Sequence, residues 1–164
     1  MTEPSVDLDA ANAMWDAYVA TGAVPAGTAP VAFDVFGDGP ALADELLGLV
    51  LEGRKRGTAT LEAEVTHVGE IAPAVGDHWV MCDGSGVPRC ILRTTAVDAV
   101  PFDDVGEDFA RSEGEGDGSL ATWRAGHRAY WERMSVRTGV PFGGDSIVLA
   151  ERFTVVWPPE VADA

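Results

Sequence analysis

The sequence predicts an α+β fold, a mostly antiparallel β-sheet or barrel with flanking helices. Three observations predict it. Short alternating runs are scattered among helical runs, tight turns rich in Gly and Asp join neighbouring strand runs, and three stretches repeat apolar residues at helical spacing.

Taken in order, residues 1–8 read as a frayed tail. From Asp9 to Ala20, Met14, Trp15 and Tyr18 recur at helical spacing, and Gly22 stops the run. Thr21–Pro30 is rich in Ala, Gly and Pro and reads as a loop, so residues 1–30 are expected to be an N-terminal tail and helix. Val31–Phe36 alternates as a strand and Gly37-Asp38-Gly39-Pro40 breaks it. Ala41–Glu52 is a well-buried helix, with Leu42, Leu46, Leu49 and Val50 on one face and Gly53 ending it. Ala59–Val65 alternates as a strand. Gly76-Asp77 turns the chain into a strand at His78–Cys82, Asp83-Gly84-Ser85-Gly86 makes a hairpin, and Cys90–Val97 returns. Val105–Ala110 has no decided period and allows a short helix, and Ser112–Ser119 is a polar loop. Leu120–Met134 is the clearest helix, with Leu120, Trp123, His127, Tyr130, Trp131 and Met134 on one side. Gly143-Gly144-Asp145 is a turn, Ile147–Val156 a final strand, and residues 158–164 a short C-terminal tail.

The 164 residues suit one domain with at most a short appendage, enough to bury about two-thirds of the surface of the unfolded chain. Met1–Asp9 has no basic start and no apolar core, and no run approaches the roughly 18 apolar residues of a membrane span. The cytoplasm is therefore the expected location, and Cys82 and Cys90 are expected as reduced thiols. A net charge of −16, from 11 basic and 27 acidic residues, leaves no broad basic surface for long nucleic acid. Long-RNA binding is expected to be weak, because the acid excess repels a polyanion. Ten of the basic residues are arginine and the remaining one is Lys55. A chain that otherwise uses Arg has placed one compact ammonium, which matters wherever the two are not exchangeable.

Two loops carry candidate chemistry. Gly53-Arg54-Lys55-Arg56-Gly57-Thr58 lies between a helix and a strand, where glycines let the backbone turn tightly and polar side chains face a pocket. A solvated basic turn would have the same composition. Ser112-Glu113-Gly114-Glu115-Gly116-Asp117-Gly118-Ser119 lacks the spacing of a calcium loop, while Ser119 suits a helix N-cap whose free amides make an anion site. An ordinary cap after a flexible loop would read the same way. On the helix that follows, His127 falls on the aromatic side and reads as a packed histidine. Arg124 and Arg128, one turn apart on another face, can reach an anion or pair with surface acids such as Glu132.

Gly53-x-Lys55-x-x-Thr58 resembles the G-x-K-x-x-T signature of ASCH domains, the activating-signal-cointegrator homology group of the PUA-like superfamily. Glu113-Gly114-Glu115-Gly116-Asp117-x-Ser119-Leu120-x-x-Trp123-Arg124-x-x-His127 resembles the corresponding stretch of one bacterial branch. Pro101-Phe102-Asp103-Asp104-Val105 and Glu151-Arg152-Phe153 add to the resemblance, which spans residues 31–157. It implies a PUA-like β-barrel with a cleft near the first loop, binding RNA or nucleotides. One small relative type deacetylates acetylated cytidine with a Lys, a Thr and a Glu, and the bacterial branch is associated with metal-dependent cleavage of single-stranded RNA. Carried over, the catalytic candidates are Lys55, Thr58, Glu115 (with Glu113 competing for its role) and Ser119. Gly53, Arg54, Arg56, Glu113, Asp117, Arg124 and Arg128 are candidates for binding. The implied partner is a nucleotide, modified nucleoside or short single-stranded RNA. In an amide hydrolysis, a Lys55 of lowered pKa would activate Thr58 or water; in RNA cleavage, Glu113, Glu115 and Asp117 would hold a divalent metal.

Overall fold

In the computed structural model, which describes residues 5–164, five strands form one mixed sheet in the order β1-β3-β4-β5-β2. These are β1 (Ala32–Val35), β2 (Gly57–Leu61), β3 (His78–Cys82), β4 (Pro88–Pro101) and β5 (Ile147–Trp157). β1 runs parallel to β3, whereas β3–β4 and β2–β5 are antiparallel. Five helices accompany them: α1 (Leu8–Val19), α2 (Pro40–Leu51), α3 (Glu62–Val68), α4 (Glu107–Glu113) and α5 (Leu120–Thr138). Among the described residues, no helix is long and apolar enough to cross a membrane.

The chain divides into two compact units. Among the described residues, the first comprises 5–53, Gly76–Thr94 and Phe153–Ala164. In it, α1 buries Ala11, Trp15 and Tyr18 together with Val80 of β3 and Ile91 of β4. Residues 5–8, expected as part of a frayed tail, are held in place: Asp7 caps α1 and its amide donates to the Gly86 carbonyl (2.9 Å). Residues 1–4 of that expected tail lie outside the described residues. A second cluster packs Leu47 and Val50 of α2 with Met81, Cys90, Leu92, Phe153 and Val155. Cys82 and Cys90 are buried thiols not joined in a disulfide, and burial together with nearby acids pushes the Cys82 thiol up to about 11.

The second unit comprises Arg54–Val75 and Thr95–Arg152. Its core is aromatic: Phe102 stacks on Trp123 (5.5 Å between ring centres) and meets Trp131 edge-on (5.9 Å), with Phe109, Leu61, Val148 and Ala150 around them. The aromatic side of α5 therefore faces the core, as its spacing predicts, and Gly139 in the left-handed conformation ends the helix.

Two elements differ from expectation. The strand expected at Ala59–Val65 ends at Leu61, and Glu62 begins α3. Leu61 and Val65 are both buried, and a spacing of four serves a helix as well as alternation serves a strand. Glu62 and Glu64 in the first turn complement the helix dipole, and left-handed Gly69 closes it. The polar loop expected from Ser112 starts later, because α4 continues through Glu113 before Gly114 turns the chain. That shift gives Glu113 a helical anchor.

Trp131 is 1% exposed, so Trp131→Ala is expected to lose about 3–5 kcal/mol of stability in urea unfolding. Val136→Ala, on the solvent side of the same helix at 87% exposed, should stay within about 0.5 kcal/mol of the parent.

Candidate functional site

The two polar segments singled out in the sequence meet in the second unit. The Arg56 amide donates to the Ser112 carbonyl (2.7 Å), and the Arg54 guanidinium reaches the carbonyls of Gly114 (3.3 Å) and Gly116 (3.4 Å). Glycine is required at the crossing. Gly114 has φ +64°, and a Cβ there would collide with the Arg54 carbonyl; a Cβ on Gly57 would sit 2.6 Å from Ser112 Oγ. Because the chain reverses at Gly114, the carboxylates on either side of it converge on one point instead of diverging.

That point is the Lys55 ammonium. Nζ donates to Glu113 Oε2 at 2.7 Å and to Glu115 Oε1 at 2.8 Å. Lys55 and Glu113 are each 1% exposed, while the Glu115 side chain keeps 29%. The second oxygen of Glu113 accepts from the Trp123 indole N–H at 2.9 Å and lies 3.4 Å from His127 Nε2. His127 stacks on Trp123 with ring centres 4.1 Å apart, and its Nδ1 faces the Trp123 carbonyl at 2.9 Å.

The electrostatics separate the two carboxylates. Burial disfavours the charge on Glu113, but Lys55 and His127 outweigh it and hold this carboxyl well below the usual range. Glu115 moves the other way: burial and the charge of Glu113 raise its pKa against the pull of Lys55. Burial alone would lower the pKa of Lys55, yet the two carboxylates prevail and raise it. The expected lowered pKa is thus corrected, because an amine between two carboxylates is a cation and not a free base. His127 is likewise raised, since Glu113 overcomes its desolvation.

The other candidates are dispersed around this centre. Thr58 is half-buried near the start of β2, in register with Glu151. Ser119 caps α5, its Oγ accepting from the Thr122 amide at 3.1 Å, and Asp117 accepts from the Ser119 amide at 2.9 Å. Arg56 donates to the Lys55 carbonyl (2.8 Å), and Gly53, at φ +83°, ends the turn after α2. Arg124 donates to the carbonyls of Asp103 (2.7 Å) and Val105 (3.3 Å), and Arg128 lies 4.9 Å over the Phe102 ring. Both arginines are thereby engaged with the Phe102–Val105 turn.

A family model described as the ASCH domain matches residues 32–157. The chain belongs to the ASCH domain family. A crystal structure of an ASCH domain from Lactobacillus crispatus is 32% identical with a TM-score of 0.83, covering 92% of this chain and 96% of that one. A second crystal structure, of a protein from Enterococcus faecalis, is 25% identical with a TM-score of 0.81 over 91% and 89% of the two chains. No curated protein sequence matches. The likeness to the first structure gives this ASCH domain a PUA-like α+β fold.

Within the ASCH domain, the described residues that bring three metal-ligand atoms together are Glu113, Glu115 and His127, whose donor atoms lie within 4.8 Å of one another. Asp117, expected beside the two glutamates, is instead occupied at the α5 cap. The residue underweighted in the sequence is His127. Its place four residues after Trp123 puts both on one helix face, and this signal reads as packing until Glu113 is known to lie against that face.

Breaking the buried ion pair leaves an uncompensated charge, so Lys55→Met should cost roughly 3–5 kcal/mol, and adding Glu113→Gln should recover part of the loss. In metal-free buffer, NMR titration should place the His127 midpoint above the usual value of about 6.5 and find it lower in Glu113→Gln. A raised histidine contributes stability below its unfolded pKa and loses it as pH rises through the folded value. A lowered glutamate contributes above its unfolded pKa and loses it as pH falls. Stability should therefore decline on both sides of mildly acidic pH, and less steeply in Glu113→Gln.

Proposed function

We propose that this ASCH domain binds a nucleoside-like ligand beside Glu115 and hydrolyses an amide bond in it, as in removal of an acyl group from a modified base. ASCH domains are usually RNA-binding, which supports a ligand of that kind: a nucleotide, a modified nucleoside or a short single strand. The observation that carries the reading is the Lys55 ammonium shared by Glu113 and Glu115 at 2.7 and 2.8 Å. Its charge is already more than offset, so a phosphate gains little there, whereas a neutral acyl group meets an acid–base pair. The net charge of −16 adds repulsion against long RNA. A cytoplasmic location, where nucleosides and RNA are available, completes the proposal.

In this mechanism the Glu115 carboxylate takes a proton from water as its oxygen attacks the acyl carbon. The Lys55 ammonium and the Thr58 hydroxyl stabilise the oxyanion. Glu115 then passes the proton to the departing nitrogen, releasing a free amine and a carboxylic acid. A raised pKa suits this shuttle, because a group that must both accept and return a proton works best near ambient pH. Glu113, held ionised, is the fixed counter-ion that aims Lys55. Arg54 and Arg56, which hold backbone carbonyls beside the centre, would add positive charge toward ribose or phosphate.

The test is chromatographic turnover of a panel containing N-acetylated cytidine, other acylated nucleosides and short RNAs. Glu115→Gln should lose about 10²–10⁴-fold in kcat while keeping its fold. Lys55→Arg should fall nearly as far as Lys55→Ala, because the bulkier guanidinium does not fit a 1%-exposed site between two carboxylates. Saturable ligand binding with no turnover across the panel would favour a non-catalytic binding module. Full activity in Glu115→Gln would remove the assigned proton shuttle.

A further inference from the structure

We propose that Glu113, Glu115 and His127 form a divalent-cation site whose occupation competes with the Lys55 ammonium. This proposal stands independently of the hydrolase reading.

Donor atoms of the three residues lie within 4.8 Å of one another. Three ligands each about 2.0–2.2 Å from one tetrahedral metal lie about 3.3–3.6 Å apart, so closure draws the donors together by at most about 1.5 Å, within the reach of side-chain rotation. Two observations beyond the carboxylates themselves point to a cation. First, the position between Glu113 and Glu115 already holds one, the ammonium of Lys55. Second, His127 is oriented as metal-binding histidines are. Its Nδ1 faces the Trp123 carbonyl at 2.9 Å, an atom that only accepts, so the hydrogen of the neutral ring lies on Nδ1. Nε2 then turns its lone pair toward Glu113 Oε1 at 3.4 Å. In that form two acceptors face each other, an arrangement that favours a proton or a metal ion between them. Trp123 holds both ligands, its indole N–H on Glu113 and its carbonyl on His127.

One imidazole nitrogen with two carboxylates is a borderline donor set, which suits Mn²⁺ or Zn²⁺ better than Mg²⁺ or Ca²⁺. The ion would share with Lys55 the Glu115 carboxylate and the opposite edge of Glu113, so the two cations compete, most directly at Glu115. Removing the ammonium should therefore strengthen metal binding. Scattered surface carboxylates, plentiful at a net charge of −16, would not respond to that change.

The experiment titrates metal-free protein with Mn²⁺, followed by calorimetry and by paramagnetic broadening of the histidine ring signals, with Mg²⁺ in parallel. One saturable site per chain is expected, stronger for Mn²⁺ than for Mg²⁺, with the His127 signals lost before those of His67 and His78. Affinity should fall at least tenfold in Glu115→Gln and in His127→Gln, and stay unchanged in Asp108→Asn, whose side chain is 90% exposed. Lys55→Met should bind at least tenfold tighter, and Mn²⁺ should raise its Tm more than that of the parent. Unchanged affinity in both Glu115→Gln and His127→Gln overturns the site. If Lys55→Met binds no tighter, the competition is wrong. Should Lys55→Met fold only when Mn²⁺ is present, that rescue itself supports the proposal, and the Glu115→Gln and His127→Gln results still decide it.

Discussion

The ion pair of Lys55 with Glu113, closed at 2.7 Å with both side chains 1% exposed, is the constraint to which the rest of the second unit conforms. Moving such charges out of water costs several kcal/mol per ion, and only close geometry and further hydrogen bonds offset it. Each part of the surrounding chain supplies one. α4 carries Glu113 as its last residue, Gly114 reverses the backbone so that Glu115 reaches the same ammonium, and the Trp123 indole satisfies the remaining oxygen of Glu113. The aromatic core then has two uses. It buries Trp123 against Phe102, and in doing so it fixes the donor that Glu113 needs.

The same geometry explains the chain's single lysine. An arginine spreads its charge over a flat fork suited to one carboxylate held by two bonds. Here two carboxylates approach from either side of Gly114, and a compact ammonium with three donors meets them where it is 1% exposed. Ten arginines elsewhere lie where such a distinction is less severe. Arg54 and Arg56 are employed on backbone carbonyls beside the site, and Arg124 and Arg128 on the Phe102–Val105 turn.

Two carboxylates separated by one glycine acquire different properties. Glu113 is enclosed and bound to Lys55, Trp123 and His127, so its charged form is favoured despite burial. Glu115 retains contact with solvent, pairs with Lys55, and feels the negative charge of Glu113. The charged form is favoured at Glu113 and disfavoured at Glu115. Neither preference can be assigned from the Glu-Gly-Glu pattern itself.

Much of the fold was legible in the sequence. Periodicity located α1, α2 and α5, alternation and turn residues located the β3–β4 hairpin and β5, and the G-x-K-x-x-T and E-G-E-G-D patterns pointed to the family and to two segments that meet in the structure. α3 was not legible, because Leu61 and Val65 satisfy a strand and a helix equally, and the packing of the second unit decides between them. Lys55, Glu113 and Glu115 could be named from the sequence because their residue types and spacing are local properties. The protonation of Lys55, the division of roles between the glutamates and the entry of His127 into the site were decided only by tertiary structure. A pKa depends on which charges lie within a few ångströms and how much water remains. For these residues, the decisive neighbours are up to 60 positions away along the chain.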